Sequence, residues 1–223
     1  MNNLTLLDNF LIGSTPSLEA LKTKEHARVL VASDSHGNKE ILSLILKQYG
    51  PTCNAFCFCG DGLGDIAYIY NKALNDTDFQ NCLPSVIAYV QGNCDPSSYP
   101  LNNGEELIAP PFQTITVNNK GIMVVHGHRE GVTYGFEKYG MKLQYCEDAV
   151  KPTTGLFGHT HIAEDVIDNN FKFINPGSCT SPRGGQPKSF AILTVENAFI
   201  DTAFLEILSY KDDKLDCKLW TPN

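Results

Sequence analysis

The sequence contains no run of five lysines or arginines, and its formal net charge is −8. Both features argue against a protein that holds long nucleic acid by neutralising its phosphates. Long hydrophobic runs are missing too. The apolar stretch from Phe10 to Gly13 is short and no lysine or arginine precedes Lys22, so neither a membrane helix nor a signal peptide is expected. The expectation is a soluble, cytoplasmic protein. Eight cysteines are present but no C-x-x-C pair, which, without an export signal or compact disulfide spacing, implies reduced thiols. Cys57 and Cys59 fall on one face of a strand-like run, where small thiols pack as apolar groups. No internal repeat or low-complexity tract appears.

What is present is an ordinary globular composition, 42% hydrophobic and 19% charged over 223 residues, enough for one continuous core. Residues 1–25 are expected to form an N-terminal extension, with a helix start at Ser14-Thr15-Pro16, and residues 26–223 a single domain. RVLVAS (28–33), AFCFC (55–59) and SVIAYV (85–90) are apolar runs of strand length, and helical patterns follow the first two, KEILSLILKQYG and IAYIYNKAL. Strands alternating with helices imply a mostly parallel sheet with right-handed crossovers. Beyond residue 105 the strands come closer together: FQTITV and GIMVVH flank the turn Asn118-Asn119. A helical stretch near 133–149 follows, and then GLFG, EDVID, FKFIN, SFAILTV and AFIDTAFLEI complete a largely antiparallel half.

The chemistry-bearing residues gather just after strands. Asp34 and His36 follow RVLVAS, Asp61 follows AFCFC, and Gly92-Asn93-Cys94-Asp95 follows SVIAYV. His126 and His128 follow IMVV, and His159 and His161 follow GLF. Five of the six histidines sit in these loops. The carboxyl ends of strands in an open α/β sheet converge on one crevice, so loops far apart in sequence can build one site. Each pair alone fits a solvated turn; the conjunction at five junctions points to a metal site. Carboxylate, imidazole and carboxamide donors suit manganese, iron, zinc and similar divalent ions. The set is too large for one ion, but fits two ions about 3.5 to 4 Å apart sharing a carboxylate, an arrangement suited to in-line displacement at phosphorus.

The ordered series SDSHG, GD, GNCD, HGH and GHTH, followed by NPGS at 175–178, resembles the calcineurin-like metallophosphoesterases, in particular their small bacterial and archaeal phosphodiesterase branch. The resemblance spans about residues 28–195. It implies a four-layer α/β/β/α sandwich with two mixed central sheets. It also implies a first metal on Asp34, His36, Asp61 and His161, and a second on Asp61, Asn93, His126 and His159, with Asp61 as bridge. The implied activity is hydrolysis of a small phosphodiester by a metal-bridging hydroxide. The cofactors would be two divalent ions, manganese first, with iron, nickel, zinc or magnesium as alternatives. Asn93, Cys94 and His128 are the candidate catalytic residues and Arg183, in SPRGG, the candidate substrate contact. Cys94 stands where much of the superfamily has a histidine, and a thiol is a poor general acid at neutral pH. Two other functions are carried as alternatives: a phosphomonoesterase, and a non-catalytic scaffold resembling the retromer subunit of this fold. The implied partner is a small phosphate ester, with no long nucleic acid and no membrane, and homodimers or higher homo-oligomers are left open.

Overall fold

Strands whose residues are apolar at every position must bury both faces, and the architecture follows from that requirement. The structure is a computed structural model describing residues 2–197 and 199–222. Its first half runs β1 (Thr5–Leu6), β2 (Ile12–Gly13), α1 (Thr15–Lys22), β3 (Ala27–Ala32), α2 (Lys39–Tyr49), β4 (Ala55–Phe58), α3 (Leu63–Asn75), α4 (Thr77–Cys82) and β5 (Val86–Tyr89). The second half runs β6 (Ser98–Pro100), β7 (Glu106–Ile108), β8 (Phe112–Val117), β9 (Lys120–Val125), α5 (Glu137–Gln144), β10 (Pro152–Leu156), β11 (Glu164–Asp168), β12 (Phe171–Asn175), β13 (Ser189–Val195), β14 (Ile200–Lys211) and β15 (Lys214–Trp220).

Two mixed sheets result, one of eight strands in the order β1-β2-β5-β4-β3-β13-β14-β15 and one of five in the order β11-β12-β10-β9-β8. Strands β3, β4 and β5 are parallel. Period-two alternation sorts their side chains. Leu30, Phe56, Phe58, Ile87 and Tyr89 pack outward with residues of α2 and α3. Val29, Val31, Ala55, Cys57, Cys59 and Ala88 point inward and meet Ile115, Ile122, Val124 and Ile174 of the second sheet. The far face of that sheet, with Met123, Val125 and Phe173, is covered by Tyr139 and Leu143 of α5. Helices, sheet, sheet and helix are thus stacked around three apolar clusters. Among the described residues no helix is long and apolar enough to cross a membrane.

Two expectations change. The terminal strands do not extend an antiparallel half; β13 pairs antiparallel with β3 and carries β14 and β15 back into the first sheet. Strand β10 runs parallel to both β9 and β12 because the β9–β10 connection is a crossover through α5, long enough to reverse direction. Within residues 2–25 several side chains pack against the rest of the protein. Ile12 of β2 pairs with Ile87, while Leu4, Leu11, Ile12 and Leu21 are buried. Helix α1 starts where expected, with Ser14 Oγ accepting the Ser17 N–H at 3.2 Å.

Candidate metal centre

Parallel strands place their carboxyl ends side by side, and here both sheets do so along a common edge. Asp34 and His36 follow β3, Asp61 follows β4, Asn93 and Cys94 follow β5, His126 and His128 follow β9, and His159 and His161 follow β10. Backbone hydrogen bonds splice these loops: Asp34 N–H to Gly60 O at 3.0 Å, His36 N–H to Asp61 O at 2.9 Å, and Gly158 N–H to His126 O at 2.9 Å. A cross-sheet link joins the two groups, His159 donating its backbone N–H to Asp34 Oδ2 at 3.2 Å.

All seven expected ligands fall in one pocket. His126 donates Nδ1–H to Cys59 O at 2.7 Å, which leaves Nε2 as the nitrogen presented to the site. That nitrogen faces two acceptors, Asn93 Oδ1 at 3.0 Å and Asp61 Oδ2 at 3.5 Å. His159 Nδ1 approaches the same Asn93 oxygen at 2.8 Å. His161 repeats the pattern: Nδ1–H goes to Ser181 O at 2.6 Å, and Nε2 faces His36 Nε2 at 3.1 Å and Asp34 Oδ1 at 3.2 Å. His36 Nε2 is also 3.8 Å from Asp61 Oδ2. Asp61 Oδ2 therefore lies between the two groups, within reach of His36 on one side and His126 on the other.

Acceptors facing acceptors repel unless a proton or a cation sits between them. Asp34 is fully buried, and its Oδ1 accepts no hydrogen bond, a costly arrangement for a bare carboxylate. Donor atoms fall into three overlapping groups, Asp34, His36 and His161, then His36, Asp61 and Cys94, then Asp34, Asp61 and His126, the atoms of each within 4.8 Å of one another. This donor set, oxygen and imidazole with a shared carboxylate, fits a pair of divalent cations.

Left-handed backbone recurs in the loops of the site. Asp34, His36, Asp61, His159 and His161 all adopt positive φ, between 47° and 67°, a region that L-residues occupy sparingly. Two glycines make room for the packing. A Cβ on Gly92 would lie 2.0 Å from Asp61 Oδ1, and one on Gly158 would lie 1.9 Å from Ser33 Oγ and 2.7 Å from Asp34 Oδ2.

A ring of supporting residues holds the strained loops. Asp95 accepts four backbone N–H groups, those of Asp61, Gly62, Leu63 and Gly92, at 2.8 to 2.9 Å, tying the β4 and β5 loops together at the start of α3. Asp65 accepts from Ser35 Oγ at 2.5 Å and from Gly37 N–H at 3.0 Å. Ser178 and Thr180 both donate hydroxyls to Asp34 O, at 2.8 and 2.9 Å. Asn175 donates to Gly158 O, also at 2.9 Å. The NPGS turn is therefore a brace beneath the site. Sequence reasoning had Asp95 within GNCD without a role, and it missed Asp65 and Thr180, whose long-range partners leave no local signal.

Electrostatics follow from this crowding. Burial alone would raise the Asp61 carboxyl, but the hydrogen bond and charge of His126 and the backbone N–H of Cys94 hold it far below the usual range. His161 is raised by the Asp34 carboxylate beside it. His126 is raised as well, because Asp61 and Asp34 outweigh the opposing effect of burial. Burial and the charge of His126 lower His159 and His128. The Cys94 thiol is raised, first by burial and then by Asp61. His128 has a buried Nδ1 with no partner, and its ring centroid is 5.3 Å from that of His126. Arg183 is exposed; it donates its backbone N–H to His161 O at 3.0 Å, and its charge is felt by His159 and His161.

Comparison with known proteins agrees with this geometry. Residues 28–198 match the calcineurin-like phosphoesterase superfamily domain. The chain is 30% identical to the probable metallophosphoesterase YsnB of Bacillus subtilis, over 76% of this chain and 85% of that protein. It is 24% identical to the phosphodiesterase YfcE of Escherichia coli K12, over 84% of this chain and 95% of that one. Among solved structures, Vacuolar Protein Sorting 29 from Cryptosporidium parvum superposes with a TM-score of 0.64 at 17% identity, covering 88% of this chain and 98% of its own. That last likeness shows the fold alone.

Proposed function

Because this chain belongs to the calcineurin-like phosphoesterase superfamily, we propose that it is a metal-dependent phosphodiesterase that hydrolyses small phosphodiesters at a two-cation centre. The observation that carries this is the convergence of imidazole nitrogens on two buried carboxylates, with His126 Nε2 3.5 Å from Asp61 Oδ2 and His161 Nε2 3.2 Å from Asp34 Oδ1. Asp34, His36, Asp61 and His161 would hold one cation, and Asp61, Asn93, His126 and His159 the other, with manganese first among the candidates. The two cations would supply Lewis acidity and water acidic enough to attack phosphorus at neutral pH.

The protein's own groups then have separable tasks. Cys59 O and Ser181 O orient the His126 and His161 rings so that each presents Nε2. Arg183 draws the phosphoryl oxygens. His128, lowered by burial and neighbouring charge, is neutral near pH 7 and orients the phosphoryl group without serving as an imidazolium acid. Cys94, raised by burial and Asp61, is a weak proton donor. Turnover therefore favours esters whose leaving group needs no proton.

The scaffold alternative draws on the fold likeness to Vacuolar Protein Sorting 29, but a scaffold has no need of seven converging donors and five strained loop residues. Metal-stripped protein reloaded with manganese, zinc, nickel, iron or magnesium, and assayed on aryl phosphodiesters and monoesters, separates the two. Metal-dependent hydrolysis, greater for the diester, is expected. Stoichiometric metal binding without hydrolysis of any ester would favour the scaffold.

A further inference from the structure

A groove of 840 Å³ opens beside the metal centre, bounded by the start of α2, the outer side of α3 and the β6 strand. It begins at Gly37, the residue after His36, whose ring is exposed at the same rim. Lys39, Tyr68, Lys72 and Tyr99 line its length. Gly64, in the first turn of α3, is what lets the Tyr99 ring lie against the helix: a Cβ there would be 3.1 Å from Tyr99 Cε2. Tyr99 nonetheless keeps 40% of its surface exposed, so the ring is seated on one side and free on the other. Lys39 Nζ stands 4.5 Å above the centre of the Tyr68 ring.

Charge distinguishes this groove from a solvated helix face. In a chain of net charge −8, neither Lys39 nor Lys72 forms an ion pair among the described residues. The wall also carries two carboxylates, Asp65, which accepts from Ser35 and Gly37, and Asp76, which accepts the Phe79 N–H at the start of α4. Lysines seated over aromatic rings, Lys39 over Tyr68 and Lys72 over Phe79 at 4.3 Å, beside a centre that would hold a phosphoryl group, suit an anionic ligand with a planar ring.

We propose that this groove is the subsite for an ester group of the substrate that carries a planar aromatic ring, a nucleoside being the biological group of that chemistry, stacked against Tyr99 and Tyr68. The proposal deepens the phosphodiesterase reading and rests on it for the position of the phosphoryl group. Binding to the groove is separable from turnover. The test is equilibrium binding of thymidine 5′-monophosphate and of methyl phosphate to manganese-loaded protein. The nucleotide is expected to bind at least about tenfold more tightly, a preference of the size stacking on one aromatic ring supplies, and Tyr99→Ala or Tyr68→Ala should cut that preference to about threefold or less. Equal binding of the two ligands by the unaltered protein, or a preference retained in both variants, overturns the proposal. Hydrolysis of bis(4-nitrophenyl) phosphate by the same preparations reports separately on catalysis: nucleotide preference without hydrolysis would fail the phosphodiesterase reading and leave the groove standing.

Discussion

His36 Nε2 and His161 Nε2 stand 3.1 Å apart, each presenting a ring nitrogen to the other with Asp34 Oδ1 beside them. One ring N–H donating to the other satisfies this contact in the absence of metal, whereas a cation between the rings would engage both nitrogens and Asp34 Oδ1 at once. Metal removal should therefore be costly. A ligand present at about one hundred times its dissociation constant stabilises the folded state by about 2.7 kcal/mol. For a chain of this length, that corresponds to a melting temperature roughly 5 to 11 °C higher with saturating manganese than with chelator. Differential scanning calorimetry of loaded and stripped protein checks this, and coincident melting curves would contradict it.

The pH dependence of that difference has a definite sign. In stripped protein His161 is raised by Asp34, and His126 is raised by Asp61 and Asp34 against the effect of burial. A raised folded-state pKa contributes stability below the unfolded imidazole value and loses it as pH rises through the folded value. Cations need the deprotonated rings, so their affinity rises over the same interval. The gap between loaded and stripped melting temperatures is expected to widen from pH 5.5 to 8, as followed by thermal melts across that range. A gap that narrows would mean the imidazoles are not the ligands.

Asp95 acts through Asp61. Four backbone N–H groups depend on its carboxylate, so Asp95→Ala should cost about 2 to 4 kcal/mol in urea unfolding. Asp95→Asn, which keeps an acceptor, should recover part of it. Because the same bonds set the Asp61 loop, metal affinity measured by calorimetric titration should fall in both variants in the same order. Unchanged affinity in Asp95→Ala would confine Asp95 to capping α3.

Under the proposed mechanism the Cys94 thiol limits protonation of the leaving group. Cys94→His is expected to raise turnover of an alkyl phosphodiester several-fold more than that of a nitrophenyl diester, whose leaving group departs unaided. Steady-state kinetics on the two esters decide it, and equal changes would remove the thiol from that role.

The contrast between local and long-range signals explains what could be read from residues alone. The apolar runs at β3, β4 and β5 declare buried parallel strands because all their positions but Arg28 are apolar, and the Asp, Asn and His groups after them converge because parallel strands end on one edge. Strands β1 and β2, of two residues each, carry too few positions for any period. The return of β13 to β3 is a pairing choice between distant segments, which alternation within either strand does not encode. At the site, the donor residues stood out by type, whereas Asp65 accepts from Ser35 and Gly37 and Thr180 donates to Asp34 O, and both look like ordinary loop and helix residues.

Asp61 is the shared carboxylate on which the two-cation account turns. The most direct measurement compares manganese content and turnover of bis(4-nitrophenyl) phosphate for the unaltered protein and Asp61→Asn. The account predicts two ions per chain and metal-dependent hydrolysis in the first, and in the second fewer bound ions with turnover reduced about a thousandfold, a loss of about 4 kcal/mol of transition-state stabilisation. Undiminished hydrolysis by Asp61→Asn, or full activity in metal-stripped protein, would contradict it.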